Sequence, residues 1–295
     1  MGVGYPDTPG LWSREQVEGW KLVTKAVHDA GGRIIAQLWH VGRISDPHYL
    51  DGAQPVSSSA LAQAGHVSLL RPQKPYEVPR ALELREIPGI IEDYRKAAEH
   101  AMEAGFDGVE IHGANGYLPH QFLNDETNKR TDSYGGSIEN RARFMLEAVD
   151  AAISVWGADR VGLHLSPALP ESGNGDSNPA ATYGHVAREC SARGIAFLFV
   201  REALESPRFS KVIRDSFTGA FIANQELTAA EGEELLEKGE ADAISYGRLY
   251  IANPDLPERL KAGAPLNEPN AATFYAKGAE GYTDYPAMEE EVQLA

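Results

Sequence analysis

Residues 107–117 read Asp107-Gly108-Val109-Glu110-Ile111-His112-Gly113-Ala114-Asn115-Gly116-Tyr117. The first six, DGVEIH, are short and largely apolar, which predicts a strand buried in a parallel sheet. A polar cluster follows at once. His112 and Asn115, three apart at a strand end, could grip one oxygen atom, with the Tyr117 phenol nearby to give a proton. The same residues also suit a plain turn in which His and Asn satisfy backbone groups.

The pattern repeats on both sides of this stretch. Upstream, Ile90, Tyr94, Ala97 and Ala101 line one face of a helix that ends at Gly105. Residues 33–39 (RIIAQLW) predict an earlier buried strand, separated from that helix by a Pro/Ser/Gly-rich loop over about 40–85. Ser13 and Gln16 have capping-box spacing ahead of the stripe Val17, Trp20, Val23 and Val27, and Gly31-Gly32 stop that helix. Downstream, a helix around 139–155 leads to a strand at 160–166 (RVGLHLS). Asn178-Pro179 read as a cap and a first-turn proline for a helix that ends at Gly194, before a strand at 195–200. Residues 219–223 and 241–246 predict two more strands, with a second capping box at Thr228 and Glu231 between them. No low-complexity linker or internal repeat divides the chain, so 1–295 is expected to form a single domain.

Strands alternating with helices imply a parallel α/β sheet, either closed or open. Polar residues and glycine gather at the strand C-termini: Gln37, His112, His164, Asn224 and Gly247-Arg248. A (β/α)8 barrel builds its site at that end and holds phosphate in the loops after its last two strands. An open sheet would place a glycine-rich turn after the first strand, and Gln37-Leu38-Trp39-His40 is not one. The expectation is therefore α/β, of (β/α)8 TIM-barrel type, with six of eight strands in this chain. If the last two are strands seven and eight, the barrel is N-terminally truncated by roughly 50–60 residues.

The 295 residues carry 27 basic and 43 acidic side chains, a net charge of −16. A pI near 5.0 argues against nucleic acid or an anionic membrane as partner. No apolar run reaches the roughly 18–20 residues of a membrane span. The one cysteine, Cys190, excludes an intrachain disulfide and suits a reducing compartment, so a cytoplasmic protein is expected. His40, His48, His120 and His185 lack metal-ligand spacing, and Glu289-Glu290-Glu291 reads as a solvated tail.

Longer segments carry a resemblance. Residues 36–43 (AQLWHVGR), 112–122 (HGANGYLPHQF) and 128–141 (NKRTDSYGGSIENR) resemble the Old Yellow Enzyme family of flavin-dependent ene-reductases. Tyr246-Gly247-Arg248, 251–256 (IANPDL) and 281–286 (GYTDYP) extend the likeness, which looks nearest to the bacterial xenobiotic and nitrate-ester reductases. The family fold is a (β/α)8 barrel holding FMN.

The resemblance implies that Gln37 meets the pyrimidine edge of the flavin and that His164 and Asn224 lie on the cofactor. It implies that Gly247 and Arg248 hold the FMN phosphate. His112 and Asn115 would hold the substrate oxygen, Tyr117 would give the proton, and Tyr5, Trp39 and Tyr282 would line the substrate cavity. Against the family pattern, His164 stands where most relatives carry an arginine. The xenobiotic-reductase branch has an arginine shortly after its histidine, where this chain has Ala168. Ala223-Asn224-Gln225-Glu226 has no glycine where the phosphate loop usually has one, and the strand bearing a flavin-contacting Thr or Cys has no counterpart. The implied activity is reduction of activated alkenes, extending to nitro compounds or nitrate esters, with NADPH or NADH as reductant. The alternative is a truncated, catalytically incompetent member with weak or no flavin binding, prone to self-association through open barrel edges. The expected partner of the chain is a small electrophilic alkene substrate, with no nucleic acid and no membrane.

Overall fold

Local chemistry sets most element boundaries in the computed structural model, which describes residues 1–168, 175–205, 207–275 and 278–288. The acidic tail at 289–291 lies outside the described residues. Helix α1 (Arg14–Asp29) starts on the Ser13/Gln16 capping box, with both reciprocal bonds made. Strand β1 (Ile35–Leu38) follows. The stretch at 40–85 is more ordered than a loop. It carries a two-strand parallel ladder, β2 (Val56–Ser57) with β3 (Arg80–Ala81). Two arginines fasten it: buried Arg43 donates to Leu61 O at 3.1 Å, and Arg130 donates to Ser58 O at 3.0 Å and Leu82 O at 2.6 Å.

Helix α2 (Ile87–Glu103) ends at Gly105, whose φ of 86° few other residues would adopt. Strand β4 (Gly108–His112) is followed by the six-residue helix α3 (Leu118–Leu123), then α4 (Ile138–Trp156) and β5 (Val161–Leu165). Helix α5 (Pro179–Arg193) has Asn178 as its cap and ends on left-handed Gly194. Strand β6 (Phe197–Arg201), helix α6 (Ser210–Ser216) and strand β7 (Ala220–Asn224) come next. Helix α7 (Ala229–Glu237), strand β8 (Ala243–Ile244) and helices α8 (Arg248–Ala252) and α9 (Leu256–Ala262) complete the chain.

The chain divides into two compact units, Met1–Ile222 and Ala223–Ala295. In the first, the parallel order is β1-β4-β5-β6, with Gln37 opposite Glu110, His112 opposite His164 and His164 opposite Phe199. Ala220 N donates to Ala196 O at 3.0 Å where β7 begins. Because side chains alternate across a strand, Val109, Ile111, Leu163 and Leu165 all project to one face, where they are fully buried against helix α4. That alternation leaves Glu110, His112, Gly162 and His164 on the other face. Helix α4 also packs on α2, α3 and α5, closing the apolar layer. The parallel order and alternating helices are those of the (β/α)8 barrel class.

In the second unit, Ser245 N donates to Ala223 O at 2.9 Å, joining the end of β7 to the segment after β8. The buried Arg259 pairs with Asp255 at 2.7 Å and donates to Pro265 O and Pro286 O, which ties both to helix α9.

Candidate active site

The C-terminal end of β4 carries the densest chemistry. His112 is 5% exposed, and its Nδ1 accepts the Ala114 backbone N–H at 3.3 Å. The imidazole proton is thereby assigned to Nε2. Burial first, then the charges of His164, His120 and Arg201, hold its pKa well below 6.5, so it is a neutral N–H donor at neutral pH. Gly113 is required beside it, since a Cβ there would meet His164 O and the Leu163 side chain at 2.9 Å.

Asn115 takes a left-handed backbone, φ 55°, and is clamped twice. Its N–H donates to Ser166 Oγ at 2.8 Å, and its Oδ1 accepts from Arg201 Nη1 at 2.8 Å. Tyr117 caps α3, and its hydroxyl shares a hydrogen bond of 2.8 Å with Tyr5. The Tyr117 ring meets Trp39 and His112 edge-on, both at 4.9 Å, and Tyr5 stacks on Trp39 at 5.4 Å. These contacts gather Tyr5, Trp39, His112 and Tyr117 into one cluster, with Asn115 in the turn between His112 and Tyr117.

Gln37 and Glu110 form the row beneath, and His164 stands level with His112. Gln37 Nε2 donates to Glu110 Oε1 at 2.6 Å and lies 3.3 Å from His164 Nδ1. Both contacts engage its NH2, so its carbonyl oxygen is the group left to face a ligand. His164 stacks on His112 at 4.8 Å; burial first, then Arg201, lowers its pKa to about 3. With Nδ1 turned to Gln37, its proton sits on Nε2, which is buried without a hydrogen-bond partner. Burial pushes the Glu110 carboxyl up to about 7. An exposed amide carbonyl beside an unsatisfied imidazole N–H suits a flat heterocycle with a donor and an acceptor on one edge, which the pyrimidine ring of a flavin has.

The second unit holds the other expected residues. Asn224 spends its amide on Ser245 O at 2.9 Å. Gly247, exposed with open space where a Cβ would stand, precedes α8. Arg248 is exposed and pairs at 3.4 Å with Glu226, itself at a left-handed φ of 54°. Tyr282 is 44% exposed and its hydroxyl accepts from Tyr275 N at 3.0 Å.

Glu110 and Arg201 were not among the residues expected from sequence. Each is a charge inside a strand whose other residues are mostly apolar, and that was the available signal. Among the described residues no cluster of His, Cys, Asp and Glu could hold a metal, and no helix is long and apolar enough to cross a membrane. Cys190 is buried, with its thiol pushed up to about 12.

Residues 1–267 match the NADH:flavin oxidoreductase / NADH oxidase family. The chain is 43% identical to 12-oxophytodienoate reductase 2 of Arabidopsis thaliana, covering 97% of this chain and 79% of that protein. It superposes on the Old Yellow Enzyme homologue of Zymomonas mobilis with a TM-score of 0.94 and 45% identity, over 97% of this chain and 82% of the other. Morphinone reductase solved in complex with tetrahydroNAD gives 0.92 and 49% identity, over 97% and 81%.

Proposed function

We propose that this chain, which belongs to the NADH:flavin oxidoreductase / NADH oxidase family, the Old Yellow Enzymes, reduces activated alkenes, with α,β-unsaturated carbonyl compounds as its main substrates and nitro compounds or nitrate esters as further ones. Membership makes it a flavin-dependent oxidoreductase with FMN as cofactor and a reduced nicotinamide as electron source. When bound, FMN supplies hydride transfer, from the nicotinamide and then to the β-carbon of the alkene.

The protein's own residues do the rest. The Nε2–H of His112 and the amide N–H of Asn115 bind the substrate oxygen and stabilise the negative charge that grows there. Tyr117 gives a proton to the α-carbon from a hydroxyl already held by Tyr5. The Gln37 carbonyl and the His164 Nε2–H receive the pyrimidine edge, and Gly247 with Arg248 binds the phosphate. Asn224 borders the cofactor, and Tyr5, Trp39 and Tyr282 shape the substrate cavity. A neutral His164 offers a hydrogen bond where a cation would offer charge, so reduced flavin is stabilised less than by an arginine at that place.

The observation that carries this reading is the neutral His112 donor beside the clamped Asn115 at one strand end. A second reading, a member that binds flavin weakly and self-associates, is favoured by β1, which ends the strand order with Ile35 and Gln37 exposed. One experiment separates them. The purified chain is assayed for bound FMN and for cyclohexenone-dependent oxidation of NADPH and NADH, with its size measured by sedimentation. A yellow protein that forms cyclohexanone supports the first reading; a colourless, associated and inactive protein supports the second.

A further inference from the structure

Asn115 presents a problem that the sequence cannot resolve: which end of its amide faces the substrate. The oxygen and nitrogen ends have nearly the same shape, so packing alone chooses weakly, yet only the NH2 end can donate to a developing oxyanion. The choice is made from the neighbouring strand. Arg201 closes β6 one residue beyond the Leu165–Val200 pair, level with Ser166, and its Nη1 donates to Asn115 Oδ1 at 2.8 Å. Ser166 accepts the Asn115 backbone N–H on the same side. Guanidinium has donors only, so a flipped amide would set N–H against N–H and lose the bond.

We infer that Arg201 is a positioning residue that fixes the Asn115 amide with its NH2 toward the substrate oxygen. This rests on the oxygen-binding role proposed above for His112 and Asn115. The contact has two consequences. A charged donor on Oδ1 polarises the amide, which strengthens the N–H bond it makes on its other end. The same charge adds to burial in keeping His112 and His164 neutral, so the donor set stays N–H rather than becoming imidazolium. The clamp also holds a residue whose left-handed backbone would otherwise be free to relax.

The test uses the FMN-loaded protein and phenol, whose phenolate oxygen mimics the oxyanion, with binding followed through flavin absorbance. Arg201→Met should weaken phenol binding roughly tenfold, with Arg201→Gln as a second neutral variant should the first fold poorly. Arg201→Lys should recover part of the loss. In the Asn115→Ala background, Arg201→Met should change affinity by less than about twofold, because the group it acts through is gone. Additive losses, or affinity kept in both neutral variants while His112→Ala and Asn115→Ala lose it, would overturn the positioning role alone. Affinity kept in His112→Ala and Asn115→Ala as well would overturn the oxygen-binding reading on which it rests.

Discussion

Strands β4 and β1 lie side by side and both offer polar groups to the same face, yet their surroundings differ. All five residues of β4 are buried, and its polar side chains are tuned by neighbours: His112 is kept neutral and Glu110 is pushed up to about 7. On β1, Ile35 is 46% exposed, and Trp39 just after the strand is 36% exposed. A cavity of about 580 Å³ opens beside it, lined by Gln37, Leu38, His40 and Tyr94 among others. There the Tyr94 hydroxyl and His40 Nε2 are buried without hydrogen-bond partners. Burial is therefore what turns ordinary side chains into specific donors on β4, whereas β1 relies on an amide that needs no tuning.

The sharpest way to break this contrast is at Tyr117, on the β4 side. Tyr117→Phe would remove the proposed proton donor along with its hydrogen bond to Tyr5, so reduction of cyclohexenone by the reduced enzyme should slow by about 10²–10⁴. Flavin reduction by the nicotinamide should be nearly unchanged, since no carbon is protonated there. Stopped-flow measurement of the two half-reactions decides, and equal slowing of both would make Tyr117 a shaping residue.

Glu110 gives the next effect. Its unfolded carboxyl titrates near 4.5 and the folded one near 7, because burial disfavours the charge. The folded chain thus keeps a proton that the unfolded chain releases. The contribution to stability is full below about pH 4.5 and is lost as pH rises toward about 7. Glu110→Gln keeps an acceptor for Gln37 and removes the titration. It should gain at most about 3 kcal/mol above pH 7 and nothing near pH 4, as read by denaturant unfolding at both. An equal effect at both pH values would mean that Glu110 is solvated.

The smallest effect is expected on β1. On the proposed reading, Gln37→Ala would remove a neutral hydrogen bond to the cofactor edge and should raise the FMN dissociation constant about tenfold. Tyr117→Phe should leave that constant within about twofold. An FMN affinity that responds to Tyr117 and ignores Gln37 would reverse the assignment of the two strands.

Much of this was legible in the chain because it is locally encoded. Both capping boxes, the turn glycines Gly105 and Gly194 and the six principal strands follow from residues close in sequence. Helices α3 and α6 were not legible. They have six and seven residues, and neither Tyr117 nor Phe209 makes a side-chain cap: all of α3 is buried, and the start of α6 is held by Glu202, which accepts from Phe209 N at 2.6 Å and Ser210 N at 3.0 Å. His112, Asn115 and Tyr117 could be read because one turn contains them. The part played by Arg201 could not be, since it depends on a contact across 86 positions that only strand register creates. The tautomers of His112 and His164 likewise follow from contacts to Ala114 and Gln37 that composition does not reveal.

The central claim is that burial makes His112 a neutral Nε2–H donor rather than an imidazolium. Nitrogen NMR of the histidine-labelled FMN-loaded protein, with His112→Ala for assignment, tests it between about pH 8 and about pH 5. The unfolded ring would take up a proton near 6.5, whereas the folded ring, with its pKa well below that, should keep the Nε2–H tautomer throughout. A His112 signal that converts to imidazolium with a midpoint at or above 6.5 would contradict the account.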